Sequence, residues 1–123
     1  MTKKDDLVIY AYAGCETCRK ARRWLDDHGI AYRAVPIVEE PPSASELEKL
    51  VKASGLSVRK WFNTSGQSYR ALVERIGKDA VSALSEREVI ALLAQDGKLI
   101  KRPVVVGRGK VLVGFREDEY AAL

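Results

Sequence analysis

The 123 residues carry 21 lysines and arginines against 17 aspartates and glutamates, a net charge of +4, with 46% hydrophobic and 31% charged side chains. Such a chain buries a core without a disulfide scaffold, is too apolar for a disordered tail, and has no apolar run near the ~20 residues that span a bilayer. Its charges are interleaved and Arg116-Glu117-Asp118-Glu119 is acidic, so no basic stripe with aromatics speaks for direct nucleic-acid contact.

Met1-Thr2-Lys3-Lys4-Asp5-Asp6 is expected to lead directly into a strand rather than into a secretory signal, which points to the cytoplasm. Leu7-Val8-Ile9-Tyr10-Ala11-Tyr12-Ala13 reads as a strand buried on both faces. Ala21, Trp24, Leu25 and His28 then recur at helical spacing until Gly29. Ile30–Ile37 reads as a second strand, parallel to the first and confined to a sheet edge by Pro36.

Helical signals follow. Ser43 and Glu46 form a capping-box pattern before Leu47, Leu50 and Val51, with Gly55 as the stop, and Val58–Phe62 is a short helical piece. Asn63-Thr64-Ser65-Gly66 is a cluster of turn and cap residues before a helix near Ser68 that turns Leu72, Val73 and Ile76 inward and closes at Gly77. Ser85 and Glu88 repeat the capping-box pattern before Val89, Ile90, Leu92 and Leu93, with Gly97 ending the helix. Pro103–Val106 and Val111–Val113, joined by Gly107-Arg108-Gly109-Lys110, read as an antiparallel hairpin, and Glu117–Leu123 as a terminal helix. The expected architecture is one α/β domain: a βαβ unit over 1–38, an all-helical insertion over 39–100, and the hairpin with its helix over 101–123.

The chemistry converges on Ala13-Gly14-Cys15-Glu16-Thr17-Cys18-Arg19-Lys20, where a strand gives way to a helix. Cysteines three apart at a helix start share one face, and the free N–H groups there favour a thiolate, the nucleophilic form. In a cytosolic chain such a pair serves catalysis or metal binding more often than structure. The alternatives are two inert buried thiols or half of a zinc site; the one histidine, His28, lies about three turns away, so zinc would need a second chain. His28 itself suits a helix C-terminus. Arg19, Lys20, Arg22 and Arg23 crowd the N-terminal part of this helix and Asp26 and Asp27 its C-terminal end, the reverse of what the dipole favours. Arg19 and Lys20 read as holders of an anion, whereas Arg22 and Arg23 are equally well explained by pairs with Asp26 and Asp27. Trp24, Trp61 and Phe62 read as core. Asn63, Thr64 and Ser65 read as cap residues, with a side chain facing the reactive centre as the alternative.

This order of elements, with a C-x-x-C at the first helix start and a proline opening the hairpin, resembles the thioredoxin fold. Tyr12–Ala21, Pro41-Pro42-Ser43, Phe62–Gly66, Lys101-Arg102-Pro103-Val104 and Val113–Arg116 together resemble the arsenate-reductase-like family of that fold, including its Spx/MgsR branch. By resemblance, Cys15 is the nucleophile, Cys18 the resolving cysteine, Arg102 the oxyanion-binding arginine and Pro103 a cis proline beside the thiol. Arg102, Pro103, Asn63 and Arg19 are thus the candidate substrate-binding residues. The resemblance implies an oxidoreductase without bound cofactor that uses glutathione or thioredoxin as electron donor, or else a redox-switched regulator that binds RNA polymerase. Where arsenate reductases of the family carry two further arginines, this chain has Asn63 and Val113-Gly114-Phe115, so weak activity on arsenate is expected. The sequence ends at Leu123 without the regulators' additional C-terminal segment, which favours the enzyme.

Overall fold

The computed structural model describes Leu7–Leu123, and the expectation for Met1–Asp6 lies outside the described residues. The chain gathers into two compact units, one of residues through Ile37 together with Arg102–Leu123, the other of Val38–Lys101.

In the first unit, β1 (Leu7–Ala11), α1 (Glu16–Asp27) and β2 (Tyr32–Pro36) form a βαβ arrangement in which β1 and β2 pair in parallel, Leu7 opposite Tyr32 and Ala11 opposite Pro36. The hairpin strands β3 (Val104–Gly107) and β4 (Lys110–Val113) complete a sheet of order β2-β1-β3-β4. β2 therefore lies at an edge, where a strand proline is tolerated. β1 is antiparallel to β3 and β3 to β4. Arg108 and Gly109 at the hairpin turn have φ of 51° and 75°, the two positive values that a type I′ turn requires.

β1 is shorter than the apolar run that encodes it. It ends at Ala11, and Tyr12–Gly14 form an exposed turn closed by the Cys15 N–H on the Tyr12 carbonyl at 3.1 Å. Leu7, Ile9 and Ala11 are buried while Val8 and Tyr10 are half-buried, so one face of the strand carries the core. That face meets Cys18, Ala21 and Leu25 of α1, Val105 of β3 and Tyr120 of α6 (Glu117–Tyr120). Burying Leu25 alone contributes about 1.5–3 kcal/mol, against ~0.3–1 kcal/mol for a misplaced exposed charge. Ala21 and Cys18 are buried with Leu25, and together this packing offsets the reversed charge order. Tyr120 anchors the C-terminal helix: its hydroxyl donates to the Gly114 carbonyl at 3.0 Å, and its ring meets Phe115 and Trp24 edge-on.

The second unit is helical: α2 (Ala44–Ser54), a 3-10 turn over Val58–Trp61, α3 (Gln67–Ile76), α4 (Lys78–Ala83), α5 (Glu86–Gln95) and a 3-10 turn over Gly97–Leu99. Gly55 caps α2 in the left-handed conformation. Ser85 and Glu88 form a full capping box at α5, whereas at α2 only the Ser43 half forms. Two expectations change. α4 follows directly on Gly77, and Ile76 is exposed rather than inward because Leu72 alone of α3 is buried. Trp61 is wholly buried and Phe62 nearly so, the latter bridged to Ile100.

Candidate functional site

Cys15 is the N-cap of α1. Its backbone is extended, with φ −99° and ψ 115°, and its sulfur accepts the Cys18 N–H at 3.2 Å. This is the bond that a serine or aspartate oxygen makes at an ordinary N-cap; here a sulfur takes it and faces one of the helix's free donors. Cys15 is half-buried and Cys18 buried, and both are free thiols. The pair thus presents one accessible sulfur with a second directly behind it.

The two sulfurs differ in environment. Burial pushes the Cys18 thiol up from 9.0 to about 12; its hydrogen bond to Cys15 adds to that rise, while the Tyr12 amide and the Arg102 charge oppose it. A thiol so raised stays protonated through neutral pH. Stability should follow. Below about pH 9 Cys18 is protonated in both folded and unfolded chains; between about 9 and about 12 the unfolded chain alone releases the proton, so stability falls as pH rises through that window. Urea unfolding of wild type and Cys18→Ala at pH 8 and pH 10.5 checks this: wild type should lose more stability between the two pH values than the variant does. An equal loss would contradict the assignment.

Arg102 precedes Pro103 through a cis peptide bond, as the fold resemblance leads one to expect. Pro103 is buried and its carbonyl accepts the Gly114 N–H at 2.8 Å, which ties the start of β3 to the end of β4. The Arg102 guanidinium lies over the Tyr12 ring, 5.0 Å from its centroid, within cation–π range. Arg19 is already engaged. It donates to the Glu16 carboxylate at 2.7 Å and to the Ala13 carbonyl at 3.1 Å. Arg19, through its hydrogen bond and its charge, holds the Glu16 carboxyl below its ordinary value. The anion beside Arg19 is thus supplied by the chain itself. Arg22 turns to the Tyr32 hydroxyl at 3.4 Å instead of to Asp26. His28 stacks on Trp24 with ring centroids 3.7 Å apart, and its Nδ1 meets the Trp24 carbonyl at 2.8 Å.

Cys15, Cys18, Arg19, Arg102 and Pro103 therefore all belong to the unit that contains the sheet, while Asn63 belongs to the helical unit. There the Asn63 amide donates to the Lys98 carbonyl at 3.4 Å, and its backbone N–H to the Leu99 carbonyl at 2.7 Å. A Cβ on Gly66 would come within 2.6 Å of the Asn63 Nδ2. Tyr12 reads from the sequence as the end of a strand, yet in the folded chain its ring meets the Arg102 guanidinium. Among the described residues no group of three or more His, Cys, Asp or Glu side chains could hold a metal ion, and no helix is long and apolar enough to cross a membrane.

A parallel βα pair, an antiparallel hairpin opened by a cis proline, and a C-x-x-C at the first helix start define a thioredoxin-like protein. Residues 10–123 match the ArsC family, and the chain belongs to it. It is 47% identical to the uncharacterized protein YusI of Bacillus subtilis strain 168, across 93% of this chain and 94% of that one. It is 28% identical to the regulatory protein MgsR of the same organism, across 98% and 91% of the two chains. The solved structure of a possible arsenate reductase from Streptococcus mutans UA159 superposes with a TM-score of 0.80 at 46% identity, covering 93% of this chain and 97% of the other.

Proposed function

We propose that this protein is a cytoplasmic thiol–disulfide oxidoreductase of the ArsC family in which Cys15 attacks and Cys18 resolves. The observation that carries the reading is the asymmetry of the pair: an accessible N-cap sulfur held by the Cys18 amide, and a buried, protonated thiol behind it. The Cys15 thiolate attacks one sulfur of a substrate disulfide, forms a mixed disulfide and expels the other sulfur as a thiolate. Cys18 gives its proton to a departing thiolate and attacks the Cys15 sulfur; a Cys15–Cys18 disulfide forms and the substrate leaves fully reduced, having gained two electrons. Two glutathione molecules, or the dithiol of a thioredoxin, then reduce the protein's disulfide. Arg102 supplies the positive charge that holds an anionic substrate. Arg19 would have to leave Glu16 to assist it.

A second reading is favoured by the likeness to MgsR and to the global transcriptional regulator Spx. Here the same disulfide would switch a surface that binds RNA polymerase. Turnover separates the two. Reduction of hydroxyethyl disulfide, coupled to NADPH through glutathione with its reductase or through thioredoxin with its reductase, should be catalytic and should be lost in Cys15→Ser. Binding to RNA polymerase that depends on the redox state, with no turnover from either donor, would replace the enzyme by the regulator.

A further inference from the structure

Arg23 and Asp27 stand four apart on α1, a spacing at which opposite charges pair on a helix, yet among the described residues no ion pair joins them. Both line a cavity of about 220 Å³ instead. Lys20 and Trp24 continue the same stripe of α1, and Phe115 with Glu117, the first residue of α6, completes the lining. Two cations, two carboxylates and two aromatic rings thus share one small opening. The rings are set by packing: Trp24 and Phe115 both meet the buried Tyr120 edge-on, at 5.7 and 4.8 Å, and His28 stacks on Trp24. An apolar surface fixed in this way needs no reordering when a ligand arrives.

The charge balance of the lining selects the ligand. A simple anion gains from Lys20 and Arg23 what it loses to Asp27 and Glu117, and a simple cation the reverse. A molecule that carries both charges escapes this cancellation. At ~30 Å³ for each water, the cavity has the room of about seven waters, which suits a group of amino-acid size. We propose that this cavity binds the head group of an α-amino acid, with the carboxylate toward Lys20 and Arg23, the ammonium toward Asp27 and Glu117, and the apolar stem against Trp24 and Phe115. Arginine offers a carboxylate two parallel N–H groups. A free apolar amino acid and the γ-glutamyl end of glutathione both carry this head group. The inference stands apart from the roles of Cys15 and Cys18, neither of which lines the cavity.

Trp24 lines the cavity, and the other tryptophan, Trp61, is wholly buried in the helical unit, so tryptophan fluorescence of the reduced full chain reports occupancy through Trp24. Amide chemical shifts of α1 in the labelled protein give a second readout at pH 7. The probes are L-leucine; S-methylglutathione, whose blocked thiol keeps exchange at Cys15 out of the measurement; 4-methylpentanoate, which lacks the ammonium of leucine; and 3-methylbutylamine, which lacks its carboxylate. A saturable response to L-leucine or S-methylglutathione at about millimolar concentration is expected, and the tighter of the two identifies the source of the head group. The two singly charged analogues should bind roughly fivefold or more weakly than L-leucine. Arg23→Gln and Asp27→Asn, both at exposed positions where the fold should survive, should each weaken binding about threefold, as for loss of one partly exposed ion pair. No saturable change in either readout, equal binding of the singly charged analogues, or wild-type affinity in both variants would overturn the inference and leave the reading of the cysteine pair standing.

Discussion

Cys15→Ser is expected to reduce thiol–disulfide exchange by about four to six powers of ten, the loss typical when a nucleophile is removed. The substituted hydroxyl can still cap α1 by accepting the Cys18 N–H, so the fold should survive and the loss should be chemical. Cys18→Ser should behave differently. Cys15 can still attack, but nothing behind it can expel the substrate, and the protein should accumulate as a mixed disulfide. Hydroxyethyl disulfide turnover and intact-protein mass report the two outcomes. Exchange in Cys15→Ser at more than about a tenth of the wild-type rate would move the nucleophile elsewhere.

Arsenate should be a poor substrate, by two to four powers of ten in affinity relative to arsenate reductases of the family. Arsenate carries between one and two negative charges at neutral pH, and binding it requires charge-assisted donors in place of water. Two of the arginines that the family resemblance leads one to expect are replaced, one by Asn63 and one within Val113-Gly114-Phe115. At roughly 1.5–3 kcal/mol for each hydrogen bond to a charged group, their loss accounts for that range. Of the three cations that could compensate, Arg19 is engaged with Glu16 at 2.7 Å and Arg116 with Asp118 at 3.8 Å, while Lys20 is exposed on α1. Both pairs are exposed and worth little by themselves, so they lessen any rescue without forbidding it. Steady-state assays with glutathione plus glutaredoxin and with thioredoxin check this. Turnover at sub-millimolar arsenate comparable to those reductases would contradict it.

Local chemistry made most of the fold legible. Gly55 and Gly77 stop helices where the pattern ends, Ser85 with Glu88 starts one, and Pro36 places its strand at an edge. Each signal acts within a few residues. What escaped depends on partners distant in sequence or on weak periods. The six residues of α4 bury only Val81 and begin straight after a helix stop, so no apolar period announces them. β1 is cut short because the chain must turn through Tyr12–Gly14 to bring Cys15 to the helix start, which hydrophobicity does not encode. The candidate site divides the same way. The cysteine pair and the proline are readable from spacing and order, whereas the contact of Tyr12 with Arg102 and the engagement of Arg19 by Glu16 exist only through side-chain placement in the folded chain.

Mass spectrometry of the protein after mild oxidation tests the central claim most directly. Treatment with a small excess of diamide or hydrogen peroxide, followed by alkylation under denaturing conditions, should give a monomer two hydrogens lighter that takes up no alkylating agent, with Cys15 and Cys18 linked in one peptide. Before oxidation, the folded protein should alkylate at Cys15 well ahead of the buried Cys18. Oxidation that yields only intermolecular dimers, or that leaves Cys18 free for alkylation, would contradict the pairing of nucleophile and resolving thiol.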